Sequence, residues 1–215
     1  MEKLITSRET LELKALESKA RLCGEDVYEI CRPILEDERF PIWSGSSKPE
    51  QHHYGKGGLI KHTLEVVETC FRVKSLYEHT YEFDSKEVFL AAFFHDVGKM
   101  WDYEPVMNQT VHDTTNRDYV REETDYSKWK SSDHKRLIHH ISRSALVWSE
   151  CCRRYDKNYS LHDKVLHAIL AHHTCREAGS PVAPKTRVAW LLTLCDNISA
   201  RLNDCDTWDV LDRRR

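Results

Sequence analysis

His95 and Asp96 directly follow Val88-Phe89-Leu90-Ala91-Ala92-Phe93-Phe94, an apolar run with no polar face. A carboxylate carried into such surroundings is costly unless it is paired or coordinates a metal. An imidazole and a carboxylate side by side are a ready pair of metal ligands. Taken alone, the pair reads equally well as the polar end of a helix, where imidazole meets the dipole. It is not alone. His62 stands in Gly58-Leu59-Ile60-Lys61-His62-Thr63, His140 in Leu137-Ile138-His139-His140-Ile141, and His172-His173 closes Ala168-Ile169-Leu170-Ala171. Asp196 interrupts Leu191-Leu192-Thr193-Leu194-Cys195, where a lone carboxylate is again expensive. Each group belongs to a different apolar helix. Helix bundles build dimetal sites from such inward-projecting side chains, so the set as a whole favours a metal centre.

The elements that must position these groups are helical. Residues 6–37 read as one or two helices, with Gly24 a break and Pro33 a terminator. Gly55-Lys56-Gly57-Gly58 is a turn that exposes backbone N–H groups ahead of a helix over 59–77. Ser85 is placed to cap a helix over 86–96, and Gly98 to end it. Further helices are expected over 133–154, 161–173 and 186–202. Residues 101–132 are polar without a helical period, which suggests a functional lid or a small β-excursion. Its aromatics Trp101, Tyr103, Tyr119, Tyr126 and Trp129 could stack on bases, but packing of the loop is favoured. The expected fold is all-α, about six helices around one core, with 1–50 a helical extension packed on a domain formed by 51–215.

Composition sets the outer limits. A chain of 215 residues suggests one domain with an appendage. Thirteen histidines are about 6% of the chain, and histidine is the commonest metal ligand. The eight cysteines form no Cys-x-x-Cys pair, which excludes the usual cysteine zinc sites. No stretch approaches a membrane span, and the first residues lack an export-type apolar segment. A cytoplasmic protein with reduced thiols and no membrane partner is therefore expected. A net charge of −3 does not fit indiscriminate binding of nucleic acid. His79, His112, His134 and His162 read as solvated surface residues, His167 as a helix-face residue, and Arg213-Arg214-Arg215 as a solvated tail.

The order His62, His95-Asp96, His140, His172-His173, Asp196 resembles the H…HD…H…H(H)…D pattern of HD-domain phosphohydrolases. Within that superfamily the chain most resembles the HD domain of YhaM-type three-prime-to-five-prime exoribonucleases. The likeness rests on His52-His53 before Gly58-Leu59-Ile60-Lys61-His62, on His140-Ile141-Ser142, and on His172-His173 through Glu177-Ala178-Gly179-Ser180-Pro181-Val182-Ala183-Pro184-Lys185-Thr186, with Asp196-Asn197 after it. Those exoribonucleases also carry an N-terminal OB-type domain, whereas the N-terminal unit here is short and reads as helical. A related pattern occurs in relaxase-type proteins, and some relatives with the same six ligands are diiron oxygenases.

The resemblance implies two divalent cations, of Mn, Fe, Co, Ni or Zn, with Mg a further option. Asp96 would bridge them, with His62, His95 and Asp196 on one cation and His140 and His172 on the other. Three-metal relatives place Glu four residues before the first histidine; Gly58 stands there, so two cations are expected at most. A water between the cations would become a hydroxide near neutral pH and attack phosphorus in line. Lys99 would contact phosphate or orient the bridging carboxylate, and His173 would serve as donor, general acid or extra ligand. Arg143, Lys185, His53 and Ser180 are candidate substrate contacts. The expected activity is hydrolysis of a nucleotide or a short nucleic-acid phosphoester. The alternatives are a diiron oxygenase, a relaxase-associated module or a non-catalytic nucleotide-binding module. A homodimer through the N-terminal helices is compatible with the sequence.

Overall fold

The structure is a computed structural model that describes residues 5–114 and 117–212, with side chains described for these except 109–122, 176 and 203–212. His112, Tyr119 and Arg213 to Arg215 therefore lie outside the residues whose side chains are described.

Helix α1 spans Ser7–Cys23 and α2 Glu25–Leu35, divided at Gly24. The Glu9 carboxylate accepts the Thr6 N–H and closes the first turn of α1. Pro33 does not stop α2, which runs two residues further. Helix α3 spans Gly58–Tyr77 and α4 Ser85–Phe94. Ser85 is the first residue of α4, not its cap: the Asp84 carboxylate accepts from the N–H groups of Lys86 and Glu87. From Glu87 to Phe94 every residue of α4 is buried. This helix packs against α1, α2, α3, α7, α8 and α9 and forms the axis of the domain. Phe93 stands 5.6 Å from Phe40 and Phe94 5.2 Å from Trp148, ring centre to ring centre. One hydrophobic cluster runs from Leu16 and Ile30 through α3 and α4 to Leu192 and Cys195.

Beyond α4 the chain makes a short helix α5, Lys99–Asp102, then two antiparallel strands, β1 Tyr103–Thr114 and β2 Arg117–Ser131. The small β-excursion is thus a ribbon, irregular between Pro105 and Val106. Its base is fixed by aromatics. Trp43 donates from Nε1 to the Tyr103 carbonyl at 2.9 Å and packs edge-on to Trp129, with ring centres 5.0 Å apart. Tyr103 and Trp129 are buried, so these two aromatics pack as expected.

Helix α6 covers Asp133–Leu137 and α7 His140–Tyr155. The single helix expected over 133–154 is broken at His139, whose φ is +69°. Helices α8, His162–Ala171, and α9, Arg187–Asp212, complete the bundle. Gly98 does not end α4 in a left-handed turn: its φ is −61°. A Cβ there would lie 2.2 Å from the backbone oxygen of His140, so glycine allows α5 and α7 to touch.

Candidate metal centre

Asp96 sits just past the end of α4, 1% exposed, and presents its two oxygens to two groups of imidazoles. Oδ2 lies 3.2 Å from His62 Nε2 and 3.4 Å from His95 Nε2. Asp196 on α9 brings Oδ1 to 3.1 Å from His62 Nε2 and 3.7 Å from His95 Nε2. The two imidazole Nε2 atoms are themselves 3.2 Å apart. Two nitrogen lone pairs at that distance repel unless a proton or a cation lies between them. On the other side, Asp96 Oδ1 is 3.4 Å from His140 Nε2 and 3.7 Å from His172 Nε2. These three atoms are buried, and none has a hydrogen-bond partner among the described residues. Buried polar atoms are almost always satisfied, so three converging orphans match a cation's donor set.

The other nitrogen of each ring fixes its orientation. His95 Nδ1 is 2.7 Å from the Ala92 carbonyl oxygen and His172 Nδ1 is 2.7 Å from that of Ile169. Only an N–H can donate to a carbonyl, so Nε2 is the atom left for a proton or a cation. His62 Nδ1 reaches Ser199 Oγ at 3.1 Å, and the Ser199 hydroxyl donates to Glu65 Oε2 at 2.9 Å. His140 Nδ1 lies 3.1 Å from Asp102 Oδ2, which also accepts the His140 N–H at 3.0 Å.

Charge in the cluster is balanced from within. Burial alone would raise Asp96, but Lys99 and His95 hold it well below the ordinary carboxylate range. The Lys99 ammonium lies 2.6 Å from Asp96 Oδ2. Burial opposes charge on His95, yet Asp96 and Asp196 raise it to about 10. Two buried carboxylates demand positive charge here, from a proton or from a metal. Burial lowers His140 to about 4, which keeps its ring neutral and suited to ligation.

The outer candidates are placed unequally. His173 lines the cleft over the centre. Its backbone N–H donates to Ser180 Oγ at 2.9 Å and its Nδ1 to the Ala178 carbonyl at 2.9 Å. Nε2 is thus its lone-pair atom, and burial lowers the ring to about 3, which suits an acceptor or ligand better than an acid. Ser180 is buried and positions His173 from behind. His53 is buried against Glu65, 2.8 Å away, while His52 faces the cleft. Arg143 is not brought to the cleft: it lies 5.2 Å over the Trp101 ring and donates from Nε to His134 Nε2 at 3.0 Å. His134 is accordingly no surface residue, being held 2.8 Å from Asp102 Oδ1. Lys185 lies outside the cleft, its N–H donating to His167 Nε2 at 3.0 Å.

A cleft of about 640 Å³ opens over this cluster, lined by His52, Lys99, Tyr103, Lys135, His139 and His173 among others. The sequence profile described as HD domain matches residues 59–201, which bracket every residue of the cluster. The chain belongs to the HD-domain family. That places it among metal-dependent phosphohydrolases. The 3′-5′ exoribonuclease YhaM of Shouchella clausii (strain KSM-K16) is 26% identical over 180 residues, 84% of this chain and 49% of the relative. The chain thus spans about half the length of that relative. No solved structure matches it.

Three residues of this HD domain's centre escaped the sequence: Asp102, Glu65 and Ser199. Two carried a signal, since Glu65 and Ser199 each stand three residues after a ligand candidate and share its helical face. Asp102 carried none, because it reaches His140 only through the turn of α5. Asp102→Asn removes the carboxylate that orients His140 and is expected to weaken metal binding about 10- to 100-fold. A competition titration against a chelating dye reads this, and unchanged affinity would rule out the orienting role.

Proposed function

We propose that this HD domain is a dimetal phosphodiesterase acting on nucleotide or short nucleic-acid phosphoesters. The observation that carries the reading is Asp96, whose two oxygens face two separate sets of imidazole nitrogens, one of them a buried set without partners. His62, His95 and Asp196 with Asp96 Oδ2 would hold one divalent cation, and His140 and His172 with Oδ1 the other. When bound, such a pair supplies Lewis acidity to phosphoryl oxygens and acidifies a water between them.

The chain's own residues do the rest. Lys99 holds the bridging carboxylate by one oxygen and faces the cleft, so it fixes Asp96 and stabilises negative charge beside it. His173 offers Nε2 to a substrate hydroxyl or to an incoming ligand. The buried side of the centre is closed by α4 and excludes water from behind. A cleft of about 640 Å³ suits one or two nucleotides better than a folded nucleic acid. The relative's name, an exoribonuclease, points the same way.

Among the described residues no helix is long and apolar enough to cross a membrane. The seven described cysteines are free, which fits a reducing cytoplasm.

The test is a panel of nucleotides, cyclic dinucleotides and short oligonucleotides with Mn²⁺, Co²⁺, Fe²⁺ or the redox-inert Zn²⁺ and Mg²⁺, run beside an oxygen electrode. Hydrolysis that a chelator stops and redox-inert metal sustains is expected. Inert metal-loaded protein, or oxygen uptake that only iron supports, would overturn the reading.

A further inference from the structure

The cleft holds a cation that the metal centre does not use. Lys135 lies on α6, half-buried, and lines the cleft together with Lys99, His139, His140 and His173. Its Nζ is 3.3 Å from the Tyr103 hydroxyl and 4.7 Å from the centre of that ring. Tyr103 is 5% exposed, and Trp43 fixes its carbonyl, so the phenol is a rigid support. Lys99 is paired with Asp96, but Lys135 makes no ion pair among the described residues. An ammonium partly withdrawn from water, held over an aromatic face and lacking a carboxylate, is suited to receive an anion. The Tyr103 hydroxyl accepts from Lys135, which leaves its own O–H to be donated to a bound anion.

We infer that Lys135 and the Tyr103 hydroxyl form a second phosphate subsite in the cleft. This rests on the phosphohydrolase reading above and sharpens it. The preferred substrate carries a second phosphate next to the one at the metal centre, as oligonucleotides and nucleoside diphosphates both do. Lys135 sets specificity and takes no part in the bond cleavage.

The experiment compares a dinucleoside monophosphate, the same dinucleotide with an added 5′- or 3′-terminal phosphate, and a nucleoside diphosphate. Each is titrated by calorimetry into Mn²⁺-loaded protein and assayed for KM. In the wild type the second phosphate should tighten binding on the order of tenfold, as expected for one charge-assisted contact. Lys135→Gln should bring the affinity ratio close to one, and Lys135→Arg should keep it. A gain confined to the phosphorylated dinucleotides identifies a nucleic-acid chain as the source, and one shared by the diphosphate identifies small nucleotides. No gain in the wild type, or an unchanged ratio in Lys135→Gln, would overturn the subsite. If nothing is hydrolysed but the calorimetric ratio collapses in Lys135→Gln, the subsite stands and the hydrolase reading fails.

Discussion

Asp96→Asn should abolish metal-dependent hydrolysis, with a loss on the order of 10³-fold or more, because several kcal/mol of charge stabilisation depend on the cations this residue holds. The substitution keeps the volume and removes the charge. An amide offers one oxygen where the carboxylate offers two, so it cannot serve both His62–His95 and His140–His172. It also leaves Lys99 buried without its carboxylate at 2.6 Å. Breaking one half of a buried ion pair costs about 3–5 kcal/mol, so the variant should melt at lower temperature. Far-ultraviolet circular dichroism separates a folded, inactive variant from an unfolded one. A folded Asp96→Asn protein with wild-type turnover would remove Asp96 from the chemistry.

Gly98→Ala should destabilise the fold strongly. The new Cβ would meet the His140 oxygen at 2.2 Å and the Ser144 nitrogen at 2.8 Å, both backbone atoms that cannot swing aside. The Gly98 N–H also donates to Ser144 Oγ at 2.9 Å, so any shift of α7 to relieve the clash breaks that bond. Overpacking of this kind costs about 3 kcal/mol, read as a lowered urea midpoint. Whatever moves α7 moves His140 away from Asp96, so metal affinity should fall with stability. Gly55→Ala is the control: its Cβ would meet nothing within 4 Å, and only the φ of +95° penalises it, by about 1 kcal/mol. Equal stability of the two variants would contradict the close contact of α5 with α7.

What could be foreseen follows from where burial is expensive. Asp96 and Asp196 stood out because they interrupt apolar runs, and the histidines because they end or enter them. Those runs became α4, α8 and α9. The ribbon over 103–131 left only a weak trace. Among the described residues its two strands pair only with each other, and a two-stranded pairing by itself imposes no alternation of apolar and polar residues. The break between α6 and α7 is equally silent. Lys135-Arg136-Leu137-Ile138-His139 has ordinary helix formers, and the chain turns because Asp102, distant in sequence, captures the His140 N–H. Asp84 and Ser85 are both good caps side by side, and only the backbone decides between them. Arg143 was aimed at phosphate by its place one turn after His140. Stacking on Trp101 holds it instead, a contact made across elements that local spacing cannot encode.

On the proposed function, Asp96 and five further side chains would gather two cations. Counting metal by elemental analysis after Mn²⁺ reconstitution, with electron paramagnetic resonance on the same sample, tests it most directly. Two ions per chain with a spin-coupled signal are expected, as a shared Asp96 requires. One isolated ion per chain, or none, would contradict it.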